Sequence, residues 1–420
     1  MSDKIVEKHG AEATTEEIQG AASAVEVPSY QPKQSIGQLL RNDLGFLPVL
    51  LTLLLIVILF EILNPIFLQG ENFTNLLTQS TSLGIYSAGI VLVLLLGEID
   101  LSVAAVGTLC AVVMSVLTER MGWSAGPAIL IALLIGATAG LINGFFVAIL
   151  RIPSFIVTLA FFIVYSGLLL FLLGSQTTQV VANPFILAIA GTSVSYFTNA
   201  LGIGLPTIAV LLYVASLVAE YFQRKKAGLR TMSVTRLTIQ SVGAIVIVEG
   251  IVGVLESYQG VPYSMGLLFG ILLILWVGLT RTSVGRHIYS VGGNAEASRR
   301  AGINVVGIRI LVFVLCSTIA AVAAIVDTSR QNSVASAIAP MLQLDIIAAA
   351  VIGGVSLFGG RGSIWAVVLG MLIVSSLDNG LALLNQTTDV VQMVEGIVLI
   401  LAVTSDALIR RAQTRSRSGR

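Results

Sequence analysis

Charge is scarce in this chain. Only 11% of its 420 residues are Asp, Glu, Lys or Arg, less than half of the about 25% typical of soluble domains. So few charges cannot cover a water-exposed surface, which excludes an ordinary soluble protein. The net charge of +1 excludes the basic field that nucleic-acid binding needs. Cysteine and histidine are nearly absent. Cys110 and Cys316 each lie inside an apolar run, and His9 and His287 stand alone. Neither a disulfide framework nor a metal site can be built from them. No GxxxxGK[ST] motif occurs, and no glycine triad follows a strand pattern. The chain therefore carries no nucleotide or cofactor loop of its own and is not read as an enzyme.

What fills the chain is apolar sequence, 56% of all residues. The runs are continuous rather than alternating, which selects helices over a membrane barrel. Spans are expected near 45–67, 76–97, 101–118, 127–150, 154–174, 205–222, 237–256, 265–280, 310–326, 343–358, 363–385 and 390–408. The runs 265–280 and 343–358 are short for a bilayer, so the expectation is an all-α polytopic membrane protein of about 10–12 transmembrane helices. Residues 1–40 are polar and without periodicity, and are expected to form a flexible cytoplasmic tail. Residues 41–409 make the transmembrane domain, and 410–420 a basic cytoplasmic tail.

Lys and Arg concentrate in three segments, 223–236, 281–309 and 410–420. The positive-inside rule assigns all three to the cytoplasm, as twelve spans from a cytoplasmic N-terminus would. Of 23 basic residues, only Arg120 and Arg330 then fall on the other side.

Segment 281–309 is the longest polar stretch between spans. Asn294 is suited to cap a helix starting at Ala295, with Glu296 in its first turn. Gly302 is suited to end it in the left-handed position. A helix of about two turns is too short to stand alone in water and needs something to dock against.

The stretch GRHIYSVGGNAEASRRAGI (285–303) resembles the cytoplasmic coupling segment of permease subunits from bacterial monosaccharide ABC importers, the ribose/xylose/galactose group. GEIDLS (97–102), RIPSFIVTLA (151–160), LDIIAAAVIGGVSLFGGRGS (344–363) and SLDNGLALL (376–384) resemble further parts of the same family, in the same order. Together the matches cover roughly 45–410. The inserted region 205–260, followed by YQGVP, is most similar to the D-xylose permeases. Gln343 stands where the family commonly has Glu.

The resemblance implies an ABC importer permease fold with a cytoplasmic coupling helix in a bacterial inner membrane. It implies a cytoplasmic ATP-binding subunit gripping Gly293, Asn294, Glu296, Ala297, Arg299, Arg300, Ala301 and Gly302. A periplasmic sugar-binding protein and a second permease copy complete the implied assembly, and no cofactor is implied.

Glu98 and Asp100 lie between two apolar runs with almost no loop. Either they sit at the cytoplasmic interface, or 97–102 is unwound backbone inside the protein, with Asp100 or Ser102 capping the next helix. A weak internal repeat lays 97–109 over 342–354, with Asp100 over Asp345, and 139–150 over 375–386, with Asn143 over Asn379. Repeated halves point to a transport path. A neutral sugar needs hydrogen-bonding groups, so Asn143, Asn379, Ser102, Glu98, Asp100 and Asp345 are the candidates for lining it. The competing reading is an ion-coupled secondary sugar transporter, which needs buried carboxylates but no docking helix. Ribose, galactose and arabinose are the alternative cargoes.

Overall fold

A computed structural model describes residues 47–401 and 404, apart from 175, 192–193, 230, 339–340 and 399. The two expected tails, 1–40 and 410–420, lie outside the described residues. The described residues belong to one compact unit within Phe46–Arg420.

The unit is helical. In chain order it contains α1 (Leu47–Leu63), α2 (Gly70–Leu95), α3 (Val103–Ser115, continued by a π turn over Val116–Arg120), α4 (Ala125–Ala148) and α5 (Ser154–Leu173). There follow α6 (Pro184–Ala190), α7 (Asn199–Lys226), α8 (Val234–Glu256), α9 (Tyr263–Arg281), α10 (Ser283–Gly293) and α11 (Ala295–Arg300). The chain continues through α12 (Val305–Gln331), α13 (Leu342–Ile352) and α14 (Ala366–Leu383), and is helical again over 388–398. Among the described residues, nine helices are long and apolar enough to cross a membrane: α2 to α5, α7 to α9, α12 and α14. The apolar stretch of α1, Pro48–Leu63, and α13 are shorter.

The expected span 390–408 lies partly outside the described residues. Each expected span up to 363–385 has its helix except 343–358, where α13 stops after 11 residues. Glycines end it: Gly354, Gly359, Gly360 and Gly362 all have positive φ, and 353–363 becomes a loop.

Two helices form the middle. α2 is almost wholly buried, and α12 is buried over most of its length. Close approach to α12 is made by glycine. Gly136, Gly140 and Gly144 lie one turn apart on α4, and a Cβ on each would strike α12 backbone at Ser317 O, Phe313 O and Ile310 Cα. Gly89 of α2 faces Cys316 O, and Gly107 of α3 faces Ala320 O, in the same way. In lipid there is no hydrophobic drive between helices, so van der Waals fit and small residues hold them together. Outward side chains such as Leu55, Phe171, Leu212, Ile239 and Ile274 are more than half exposed. Such an apolar surface suits a bilayer and would aggregate in water.

The helix ends sort into two groups. At one end, α10, α11, the 353–363 loop and residues 97–99 meet. At the other, two short antiparallel pairings tie the connections: β1 (Thr178–Val180) with β4 (Ser333–Ala335), and β2 (Tyr196–Phe197) with β3 (Val261–Pro262). The two basic residues that broke the charge rule are both engaged there. The Arg120 guanidinium donates to Gln176, Gln179 and the carbonyls of Leu172 and Leu173. Arg330 pairs with Asp327 at 3.0 Å.

Candidate functional site

The polar segment after α9 folds into two helices set end to end. Thr282 caps α10, its hydroxyl accepting from Gly285 N at 3.2 Å. Asn294 caps α11, its Oδ1 accepting from Ala297 N at 2.9 Å. Gly302, at φ +85°, turns the chain out of α11, and Ile303 N donates back to Ser298 O at 3.0 Å. This closure satisfies carbonyls that a helix end leaves free. Glu296 holds both Arg299 and Arg300, at 3.1 and 3.2 Å.

α11 is six residues long, close to the expected two turns at about 3.6 residues per turn, and α10 was not anticipated. The signal for α10 was present in the spacing of its buried Ile288 and Val291, three apart on one helical face. The polar residues around them, Ser283, Arg286, His287 and Ser290, masked it.

Of α11 and its flanks, Ser298 turns inward, its hydroxyl 3.0 Å from that of Ser290. Gly293, Asn294, Glu296, Ala297, Arg299, Arg300, Ala301 and Gly302 are all exposed. Beside them opens a groove of ≈ 460 Å³ whose walls include His287, Asn304, Gly307 and Leu311. The arrangement is a capped, exposed turn of helix tied to α10 through the buried Ser298 and the exposed Ser290. On the inner side of α10, the Tyr289 hydroxyl donates to Gly362 O at 2.9 Å. Burial pushes the Tyr289 phenol above its ordinary value, so it remains a donor.

The second feature is the break between α2 and α3. Gly97 leaves α2 with φ +77°. Glu98 pairs with Arg309 of α12 at 3.1 Å. The chain then runs non-helically into the protein, and its free amides find side chains. Ile99 N donates to Ser154 Oγ at 3.1 Å, and Leu101 N to Thr158 Oγ1 at 3.0 Å. Buried backbone requires such partners. Asp100 and Ser102 are wholly buried, whereas Gly97 is exposed and Glu98 half-buried, so the break runs from the helix ends into the protein.

Neither Asp100 nor Ser102 caps α3. Asp100 Oδ1 instead accepts from Ser102 N at 2.8 Å and Ser102 Oγ at 2.6 Å. The Ser102 hydroxyl in turn accepts from Asn143 Nδ2 at 2.9 Å. The cap comes from another helix: Gln343 Oε1 of α13 accepts from Ala104 N at 2.9 Å, while its Nε2 donates to Asp100 O at 3.2 Å. Asp100 Oδ2 and Asn143 Oδ1 are buried without a hydrogen-bond partner.

The structure brings Ser102, Asp100 and Asn143 together and separates them from Asn379 and Asp345. Asn379 of α14 forms a reciprocal amide pair with Asn72 of α2, at 2.8 and 3.0 Å. Asp345 lies with Asp378 and Glu395, one carboxylate oxygen from each falling within 4.8 Å of the others. Asn143 and Asn379 thus bind helix to helix in this state; Asn143 is wholly buried and faces no open path. Asp100 and Asp345 occupy unlike surroundings despite their places in the repeat. Gln343 is the residue sequence reasoning passed over, and only its departure from the family pattern marked it.

Residues 72–403 match the family described as branched-chain amino acid transport system / permease component. The chain belongs to this permease family. It is 34% identical to the xylose transport system permease protein of Escherichia coli (strain K12) over 345 residues, 82% of this chain and 87% of that one. It is 30% identical to the ribose import permease protein of the same strain, over 85% of this chain and 92% of that one. It is 28% identical to the fructose import permease protein of Rhizobium meliloti, over 93% and 94% of the two chains. No solved structure matches it. The permease is a multi-pass membrane protein and a transport subunit.

Proposed function

We propose that this permease is the membrane subunit of an ATP-driven importer for a monosaccharide, D-xylose. The observation that carries the reading is the capped, exposed α11, a rigid handle with no use inside a free-standing carrier. A cytoplasmic ATP-binding subunit grips Gly293–Gly302, and its closure on ATP moves the handle as a rigid lever. The end bearing α10 and α11 faces the cytoplasm together with both tails, as the basic segments favour. The β1–β4 end, including segments 175–204 and 327–342, receives a periplasmic sugar-binding protein. Two copies of the permease form the pathway. The sugar names of the relatives, xylose foremost, support the cargo. Asp100, Ser102 and Asn143 with Glu98 come into the path when the helices part, offering hydroxyl-seeking groups to a neutral sugar.

The test is the double variant Arg299→Glu, Ala301→Glu. It is expected to assemble in the membrane, to lose binding of the ATP-hydrolysing subunit and to stop D-xylose uptake. Normal binding and uptake would refute the assignment of α11.

A further inference from the structure

Three backbones meet where α10 ends, and they meet at glycine. They are the end of α2 at Leu95–Gly97, the end of α10 at Gly292–Gly293, and the loop after α13 at Phe358–Gly360. A Cβ on Gly292 would strike Leu95 O and lie 2.8 Å from Gly360 N. A Cβ on Gly359 would lie 2.7 Å from Gly292 O and 2.8 Å from Gly97 N. A Cβ on Gly360 would lie 2.9 Å from Gly293 Cα. Gly97, Gly359 and Gly360 also hold positive φ, which side-chain-bearing residues resist. Gly360 N donates to Leu95 O at 2.8 Å, and the Tyr289–Gly362 bond closes the same junction from α10.

Resting on the importer reading, we infer that this glycine junction couples α11 to the path, with Gly292 as its positioning residue. Gly292 is two residues before the cap of α11, so a displacement of α11 arrives there first. With no side chains between them, the three backbones are in direct contact and cannot absorb the shift by rotamer changes. One branch runs through Gly97 to Asp100 and Ser102, hence to Asn143. The other runs through the 353–363 loop to α13, whose Gln343 grips Asp100 O and Ala104 N. Both branches converge on one buried network, so a single push at α11 moves both walls of the break together. Each contact in this chain is packed or hydrogen-bonded, which a coupling route requires.

The experiment uses vesicles holding the complete importer, with its ATP-hydrolysing and sugar-binding subunits, and reads D-xylose carried per ATP hydrolysed. Gly292→Ala is expected to lower that ratio by roughly 5-fold to 100-fold, the usual span of a coupling term. Gly278→Ala, where a Cβ on α9 meets nothing within 4 Å, is expected to leave it unchanged. If Gly292→Ala does not assemble, Tyr289→Phe, which adds no bulk, decides, with a lowered ratio expected. A wild-type ratio in Gly292→Ala, or in Tyr289→Phe where that variant decides, overturns the junction alone. A wild-type complex that hydrolyses ATP without moving sugar overturns the importer reading and the junction with it.

Discussion

Gln343 joins two parts of the backbone through one amide, accepting from Ala104 N and donating to Asp100 O. Both groups are buried, so removing the side chain leaves a donor and an acceptor unmet. Gln343→Leu is expected to destabilise the permease by about 2–4 kcal/mol, at roughly 1–3 kcal/mol per stranded group with partial relaxation. Thermal unfolding in detergent would show a clear fall in midpoint. Asn379 is a parallel case. Asn379→Leu leaves the half-buried Asn72 with only its bond to Phe67 O and is expected to cost about 1 kcal/mol while leaving sugar preference unchanged. A changed sugar preference in uptake assays would return Asn379 to the path. None of these pairings was legible in the chain. Asn72 and Asn379 are 307 residues apart, and nothing local in either segment names its partner. What was legible was local: Asn294 with Gly302 marks both ends of α11, because caps and terminators act within a few residues.

At the scale of elements, the glycines of α4 decide how α12 packs. Gly140→Val would push a Cβ and its two methyl groups against Phe313 O and Val314 Cα. Helices cannot separate locally without losing the whole contact, so a cost of about 1–3 kcal/mol, or failure to assemble, is expected from overpacking. Membrane yield and unfolding midpoint report it. The Glu98–Arg309 pair fastens the break to the start of α12. Glu98→Arg alone should destabilise by about 1–3 kcal/mol, between the exposed and buried limits for ion pairs. Glu98→Arg with Arg309→Glu should recover most of the loss, and a failure to recover would mean that the two charges do not act as a pair. The long helices were legible because roughly 20 apolar residues in lipid have few alternatives to a helix. The run 343–358 was already read as short for a bilayer, and α13 stops within it at Ile352, while the glycines that end it looked like packing residues. α10 was hidden by its short length and polar face.

For the whole molecule, the account joins an exposed handle at one end to a buried polar break beneath it. The capped turn of helix at Ala295–Arg300 was readable, and the proposed importer reading makes it the place where a partner subunit supplies the energy. The cargo was not readable from composition, because the buried network offers general hydrogen-bonding groups rather than a shaped pocket. The most direct measurement is uptake of radiolabelled D-xylose into vesicles containing the permease alone, and into vesicles that also hold its ATP-hydrolysing and sugar-binding subunits. The account predicts accumulation against a gradient only in the complete set with ATP. Accumulation by the permease alone, driven by a proton or sodium gradient, would contradict it.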